Sequence, residues 1–429
     1  MINVSSLIII YSILSLILIF YGIKSYRNSL MSYLYAIALN VFPLIPFGYL
    51  GNENTRLSRI PIAYFPIIAS FTSSLVISRF RIRKGNFFLL YHVLLSYLFV
   101  QSFLIVKIQN YVSFLEYYSM WAVNILLMLT VSFIVNRINY EIVLDIFKKL
   151  VLLIAISSLI GILKFLIGLQ DDANFMPMMN RNGTAYLIVS VTPILLFLGD
   201  TKLIKFYVFI FSIGLYFICL LFIQSRMGLM SFFFTFIIYY IYNKKFQLHK
   251  LLLFLIFLIF IVVLYLPPIR YIEERLVDRT LKTVLLITSG EGLTPDMGDY
   301  ARFQLILYSI EIIKENFWFG TGVGLENYRD RIRLLNPIRE SKPHNFYLSY
   351  LAEFGAVGFS ILLILLFMVW RRFLKIGISK ELSYTFSTIF ITNMFMLFMN
   401  EYITYPLIWW IWGIGLGLSY IKQGNKGNR

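Results

Sequence analysis

Residues 203–223 read LIKFYVFIFSIGLYFICLLFI, residues 224–228 read QSRMG, and residues 229–242 read LMSFFFTFIIYYIY. After Lys205 the chain runs uncharged to Ile223. A helix of that length, at about 1.5 Å per residue, is close to the ~30 Å hydrocarbon thickness of a bilayer. The five polar and small residues that follow leave room only for a tight reversal. Two membrane-crossing helices joined by a turn at the membrane edge are therefore expected.

Working outward, the same pattern recurs along all 429 residues. The composition is 59% hydrophobic and 14% charged, against about 45–50% and about 25% in soluble domains. A water-soluble fold is excluded, and an all-α integral membrane protein is expected. Spans are predicted at 5–22, 31–48, 60–78, 87–106, 117–135, 149–169, 183–199, 203–223, 227–242, 250–267, 346–369, 383–401 and 404–421. The run from Leu7 to Phe20 follows a stretch without basic residues, so it reads as a retained span and not as a cleaved leader. The lone Cys219 excludes disulfides and cysteine metal sites, and three histidines make a His-rich metal centre unlikely.

The net charge of +17 falls in an alternating pattern. Connectors holding Lys24 and Arg27, Arg79 to Lys84, Arg137 to Lys149, Lys202 and Lys205, Lys244 to Lys250, Arg371 to Lys380 and the C-terminal tail carry 21 basic residues. The other short connectors carry five: Arg56, Arg59, Lys107, Arg181 and Arg226. The positive-inside rule puts the first set in the cytoplasm, the N-terminus outside and the C-terminus inside. Orientation and contact with anionic lipid thus account for the charge, and nucleic acid is not expected as a partner.

Three regions follow: 1–267 with ten spans, 268–345 as a hydrophilic outer loop, and 346–429 with the last spans and a short cytoplasmic tail. The loop holds eleven basic and eleven acidic residues. From Tyr300, Phe303, Ile306, Leu307, Ile310 and Ile313 recur at helical spacing, which predicts an amphipathic helix against the bilayer or capping the bundle. A more charged helical stretch is expected over 271–286.

Four polar elements gather at the outer ends of spans. His344, in Lys342-Pro343-His344-Asn345, stands at the start of the span near Phe346. The positive end of the helix dipole there favours a neutral imidazole that can accept a proton. The plainer reading is an interfacial histidine bonded to water. Gly355 and Gly358 share its helix face and would admit a close neighbour. Arg226 in the 224–228 turn either snorkels to head groups or pairs with an anion. Arg302 lies in the first turn of the predicted loop helix, with Asp299 as its cap, where amides and a guanidinium together suit a phosphate. Asn180-Arg181-Asn182-Gly183 is either a sugar or phosphate contact or a helix cap.

Other features read as structural. Gly320-Thr321-Gly322-Val323-Gly324 lacks the Lys-Ser/Thr of a nucleotide loop and is expected to be a turn ending the loop helix. His92 reads as a packing residue, Lys164 and Glu401 as snorkelling ones, and Glu353 as a supporting carboxylate in need of a partner. A neutral histidine beside two arginines suits transfer from a pyrophosphate. The imidazole takes a proton from a hydroxyl while the arginines offset the charge on the leaving group, with no cofactor and no metal.

The stretch from Arg302 to Gly358 resembles the C-terminal signature of the bacterial O-antigen ligase and O-antigen polymerase superfamily. Its elements are the helix arginine, Asn316-Phe317-Trp318-Phe319-Gly320-Thr321-Gly322-Val323-Gly324, Pro343-His344-Asn345-Phe346-Tyr347 and Glu353-Phe354-Gly355-Ala356-Val357-Gly358. Ser225-Arg226-Met227-Gly228 is similar to the family's short arginine element, and Asn180 to Gly183 to its upstream asparagine element. The resemblance implies a metal-independent, inverting glycosyltransferase of GT-C type with about twelve spans. It would sit in the bacterial inner membrane with its site facing outward. By position, Arg226 and Arg302 match pyrophosphate-binding arginines and His344 the general base, with Asn345, Arg181 and Asn182 as further substrate contacts. The implied partners are an undecaprenyl-pyrophosphate-linked oligosaccharide, a glycan or lipid-linked acceptor, membrane lipids, a chain-length regulator and a flippase. A repeat-unit polymerase is the leading expectation, a ligase to lipid A–core or another acceptor the next, and a protein O-glycosyltransferase the third. A flippase or exporter of lipid-linked sugars is the alternative of another class. The polar residues collect at one face and not at the midplane, which favours an enzyme.

Overall fold

A computed structural model describes residues 4–41, 64–79, 86–169, 173, 175, 181–243, 298–335, 342–398, 401, 403 and 405–421. Among these the chain is all-helical. The helices are α1 (Val4–Gly22), α2 (Tyr26–Val41), α3 (Tyr64–Ile77), α4 (Asn86–Ile105), α5 (Tyr111–Val135), α6 (Tyr140–Leu166), α7 (Arg181–Asp200) and α8 (Phe206–Ile223). They continue as α9 (Arg226–Tyr242), α10 (Gly298–Glu315), α11 (Leu325–Leu335), α12 (Phe346–Phe373), α13 (Lys380–Met396) and α14 (Pro406–Leu418). Among the described residues α5, α6, α7, α8 and α12 are long and apolar enough to cross a membrane.

Twelve of the thirteen expected spans coincide with helices. The span at 250–267 and the helical stretch at 271–286 lie outside the described residues. Three helix starts move by five residues or more, that of α5 from 117 to Tyr111 among them. Helix α2 begins five residues early at Tyr26, and α6 begins at Tyr140, where an ion pair between Lys149 and Asp145 (2.7 Å, one turn apart) supports its charged start. His92 does not pack in the interior. It is exposed on α4, its ring tilted against Tyr91 at 5.2 Å.

The helices pack through small residues and buried hydroxyls, as expected where lipid supplies no hydrophobic drive between them. Gly413 and Gly417 let α14 lie against Met128, Val131, Ser132 and Val135 of α5. Ser29 and Ser74 share a hydrogen bond (2.7 Å) between α2 and α3. Ser190 of α7 donates to the Asn393 amide oxygen of α13 (2.7 Å), so α13 is fastened to the helix that starts with Arg181 and Asn182.

Helix α12 is broken nine residues in. Gly355 adopts φ 65° and ψ 178°, which releases backbone groups that a bilayer could not solvate. The segment after α10 takes them up. Ala356 N–H donates to Phe317 O (2.7 Å) and Val357 N–H to Trp318 O (3.2 Å), while Thr321 N–H donates to Ala352 O (2.8 Å) and Gly322 N–H to Glu353 O (3.1 Å). Gln101 of α4 adds its amide to Glu353 O (2.8 Å) and to Phe319 O. A Cβ at Gly355 would overlap Trp318 O and Gly320 N, and Gly320 itself sits at φ 71°. The glycine-rich segment is therefore a backbone clasp on a broken helix, and more than a turn that ends α10.

Helix α11 was not foreseen. It docks on the α4–α5 connector, where Asp330 accepts from the Asn110 amide (3.0 Å) and pairs with Lys107 (3.3 Å). Burial raises the Asp330 pKa, but the Asn110 amide and Lys107 outweigh it and leave it below the ordinary aspartate value. Helix α10 also turns differently from the expected face. It buries Leu305, Ser309 and Ile312, a stripe that meets Tyr328, Ile332 and Ala352, and leaves Phe303, Leu307 and Ile310 exposed. The helix thus carries two apolar stripes, and packing against α11 and α12 selects the one with the smaller central residue.

Candidate active site at the helix starts

The turn between α8 and α9 is two residues long. Gln224 takes the left-handed conformation (φ 57°), and Ser225 caps α9, its Oγ accepting from Gly228 N–H (3.1 Å). Arg226 is thereby the first helical residue of α9 and is half-buried. The Ser225 hydroxyl donates to the Asn182 amide oxygen (2.9 Å), which ties the start of α7 to the start of α9. The two sequence elements read separately as arginine turn and asparagine motif are one structural unit.

Before α12, Lys342 and Pro343 are buried and His344 is exposed at φ 53°. Asn345, and not His344, is the cap of α12. Its Oδ1 accepts from Leu348 N–H (3.0 Å) and its Nδ2 donates to Phe398 O (2.9 Å). His344 therefore stands one residue before the cap, further from the positive end of the helix than expected. Phe346 N–H donates to Leu397 O (3.0 Å) and the Tyr347 hydroxyl to Met394 O (2.9 Å), so this segment is stitched to the end of α13. The starts of α7 and α9 are thus joined directly, and the start of α12 is linked to α7 through the end of α13.

Arg302 lies in the first turns of α10, and Arg181 opens α7; both side chains, like Asn180, fall outside the described residues. Gly358 does admit a close neighbour. A Cβ there would overlap the ring of Tyr97, whose hydroxyl donates to Phe354 O (2.7 Å).

Glu353 finds the partner that it needed in a residue not singled out from the sequence. The Lys342 ammonium forms an ion pair with Glu353 Oε1 and lies 3.9 Å from Glu401 Oε2 and 4.5 Å from the centre of the Tyr117 ring. The side chains of Lys342 and Glu353 are 5% and 0% exposed. Glu353 Oε2 also accepts from Gly324 N–H (3.3 Å), which joins the clasp to this cluster. Glu401 does not snorkel. Its carboxylate accepts from the Ser349 hydroxyl (2.5 Å) and from the backbone N–H of His344. Burial pulls the Lys342 ammonium down, yet Glu353, Tyr117 and Glu401 outweigh it and hold it well above the ordinary lysine value. Burial lifts Glu401 above the ordinary carboxylate range, in part offset by Lys342, Ser349 and the His344 amide. The signal for this cluster was Glu353 itself, a carboxylate inside an apolar run, which has to be paired. Among the described residues no three His, Cys, Asp or Glu side chains converge as a metal cage.

Residues 209–363 match the family described as O-antigen ligase. No curated protein matches the chain. The matched segment runs from α8 through the 224–228 turn, α10, the clasp and the His344 segment into α12, and includes Arg226, Arg302, His344 and Glu353. Over this segment, about a third of the chain, the multi-pass membrane protein is similar to the O-antigen ligase family, which points to a part in polysaccharide assembly.

Proposed function

We propose that the protein is a glycosyltransferase of the bacterial cytoplasmic membrane that joins undecaprenyl-pyrophosphate-linked repeat units into a surface polysaccharide on the outer side. The observation that carries this reading is the bond between the starts of α7 and α9, with the start of α12 linked to α7 through α13. Arg226 opens α9, Asn182 lies in the first turn of α7, and His344 precedes α12, the first and last of these within the family segment.

In this reading Arg226 and Arg302 hold the donor pyrophosphate, and Arg181, Asn182 and Asn345 border the sugar. The His344 imidazole accepts the proton of an acceptor hydroxyl as its oxygen attacks the anomeric carbon. The carbon–oxygen bond to pyrophosphate breaks from the opposite face, and the bonding pair leaves with undecaprenyl pyrophosphate. The guanidinium groups offset the charge gained there, which in a site sheltered from water accounts for a few kcal/mol each. The proton passes from imidazolium to solvent. Glu353 supports this site through Lys342 and does not touch the donor.

A ligase that transfers the finished chain to lipid A–core or another acceptor is the second reading, and the family match is compatible with either. Both readings share the donor site and differ in acceptor. Deleting the gene in its host and complementing with wild type or His344→Ala separates them by electrophoresis of the surface glycan and of the lipid-linked intermediates. Single repeat units without a ladder identify a polymerase. Long chains stranded on undecaprenyl pyrophosphate identify a ligase. A normal ladder from His344→Ala removes the histidine from the mechanism and returns the flippase reading.

A further inference from the structure

We propose that Lys342 is a positioning residue for the transfer reaction: the bridge it makes from Glu353 to Glu401 fixes the backbone that carries His344. The inference deepens the reading above and rests on His344 being the base.

His344 occupies a left-handed conformation (φ 53°) that a residue with a Cβ adopts at a cost, and such conformations persist only where the surroundings over-determine them. Here they do so from three sides. The His344 N–H is given to the Glu401 carboxylate, which belongs to the α13–α14 connector. Asn345 is locked by its own cap and by Phe398 O. On the other side, Lys342 is held by Glu353 and faces Tyr117, with Pro343 as the only residue between it and His344. Proline fixes its own φ and restricts the residue before it, so an anchor at the Lys342 side chain reaches His344 through few free torsions.

The same ammonium also faces Glu401, so one cation sits between the two carboxylates. Without it two carboxylates would be left buried and unneutralised. Glu401, which grips the His344 amide, is the less buried of the two, with 20% of its side chain exposed. It is therefore the group most free to turn toward water and release that amide. The ordinary alternative is an ion pair that only holds α12 to the loop before it.

The test uses the full-length protein in lipid nanodiscs, with the host's lipid-linked repeat unit as donor and release of undecaprenyl pyrophosphate as the signal. Lys342→Met should lower kcat about 10²-fold, the loss expected for a misplacement of ~1 Å, with the donor KM changed less than about threefold. Lys342→Arg should recover most of that loss. The double variant Lys342→Met with Glu353→Gln removes both ends of the pair. It should restore abundance and thermal midpoint without restoring kcat, because His344 still lacks its bridge to Glu401. The proposal is overturned if Lys342→Met keeps kcat within about threefold of wild type, if the loss lies in KM, or if the double variant recovers kcat along with abundance. A His344→Ala control keeps the two levels apart. An active control sinks the base assignment itself, whereas an inactive control beside an active Lys342→Met sinks only this proposal.

Discussion

Arg226 illustrates how much a single position carries. It opens α9 directly after a two-residue reversal, at the positive end of the helix, and a planar guanidinium there can take two phosphate oxygens at once. Lysine supplies the charge without the fork. Arg226→Ala is expected to cut transfer by 10²–10³-fold, within the range for removal of one preorganised donor. Arg226→Lys should recover only a small part, at unchanged protein abundance. Initial rates with purified protein check both. This residue was legible in the sequence because an arginine in a turn between two apolar runs is costly unless it has a task. Asn182 and Ser225 were legible as separate motifs, but their hydrogen bond was not, because nothing in the order of residues tells which span starts are neighbours. Lys342 was hidden by its place. Next to a proline and a histidine at a loop end, it looks like any solvated lysine.

At the scale of elements, the broken helix α12 and its clasp set the site's frame. The clasp supplies four backbone hydrogen bonds and presents Gly324 to Glu353, so the glycines serve conformation and close approach. Gly355→Ala would place a side chain at φ 65° against Trp318 O. It is expected to cost at least 1–3 kcal/mol of stability, seen as lower abundance and a lower unfolding temperature in detergent, and Gly320→Ala should act in the same way. The apolar runs announced α12 and the residues of the clasp by composition alone. The break did not announce itself, since a glycine in an apolar run reads equally as a small packing face. Only the partner strand of backbone, about 35 residues upstream, distinguishes the two. Helix α11 escaped for a related reason: it is short and polar, and its docking depends on Asn110 and Lys107 far away in the chain.

For the whole molecule, the division of charges was the most readable property. Twenty-one basic residues against five among the short connectors are the basis on which we propose an orientation, without any knowledge of packing. The contacts fit that division. Lys107 and Asn110 meet Asp330, all assigned outside, and Arg27 pairs with Asp145 (3.8 Å), both assigned inside. Cysteine-labelling in intact cells, with Cys219 replaced by alanine, should modify a cysteine placed at Leu334, which is exposed on α11, without permeabilisation. A cysteine placed at Thr201, in the connector after α7, should react only after it. The opposite pattern would invert the topology and move His344 to the cytoplasmic face.

In the proposed reaction His344 takes the acceptor's proton. The most direct test is a single-turnover assay on the purified protein in nanodiscs, with lipid-linked donor and acceptor, comparing wild type with His344→Ala and His344→Gln. Both variants are expected to bind donor with unchanged affinity and to form the glycosidic bond at least about 10²-fold more slowly, the lower end of what a lost general base costs. Bond formation at the wild-type rate in either variant would contradict that role.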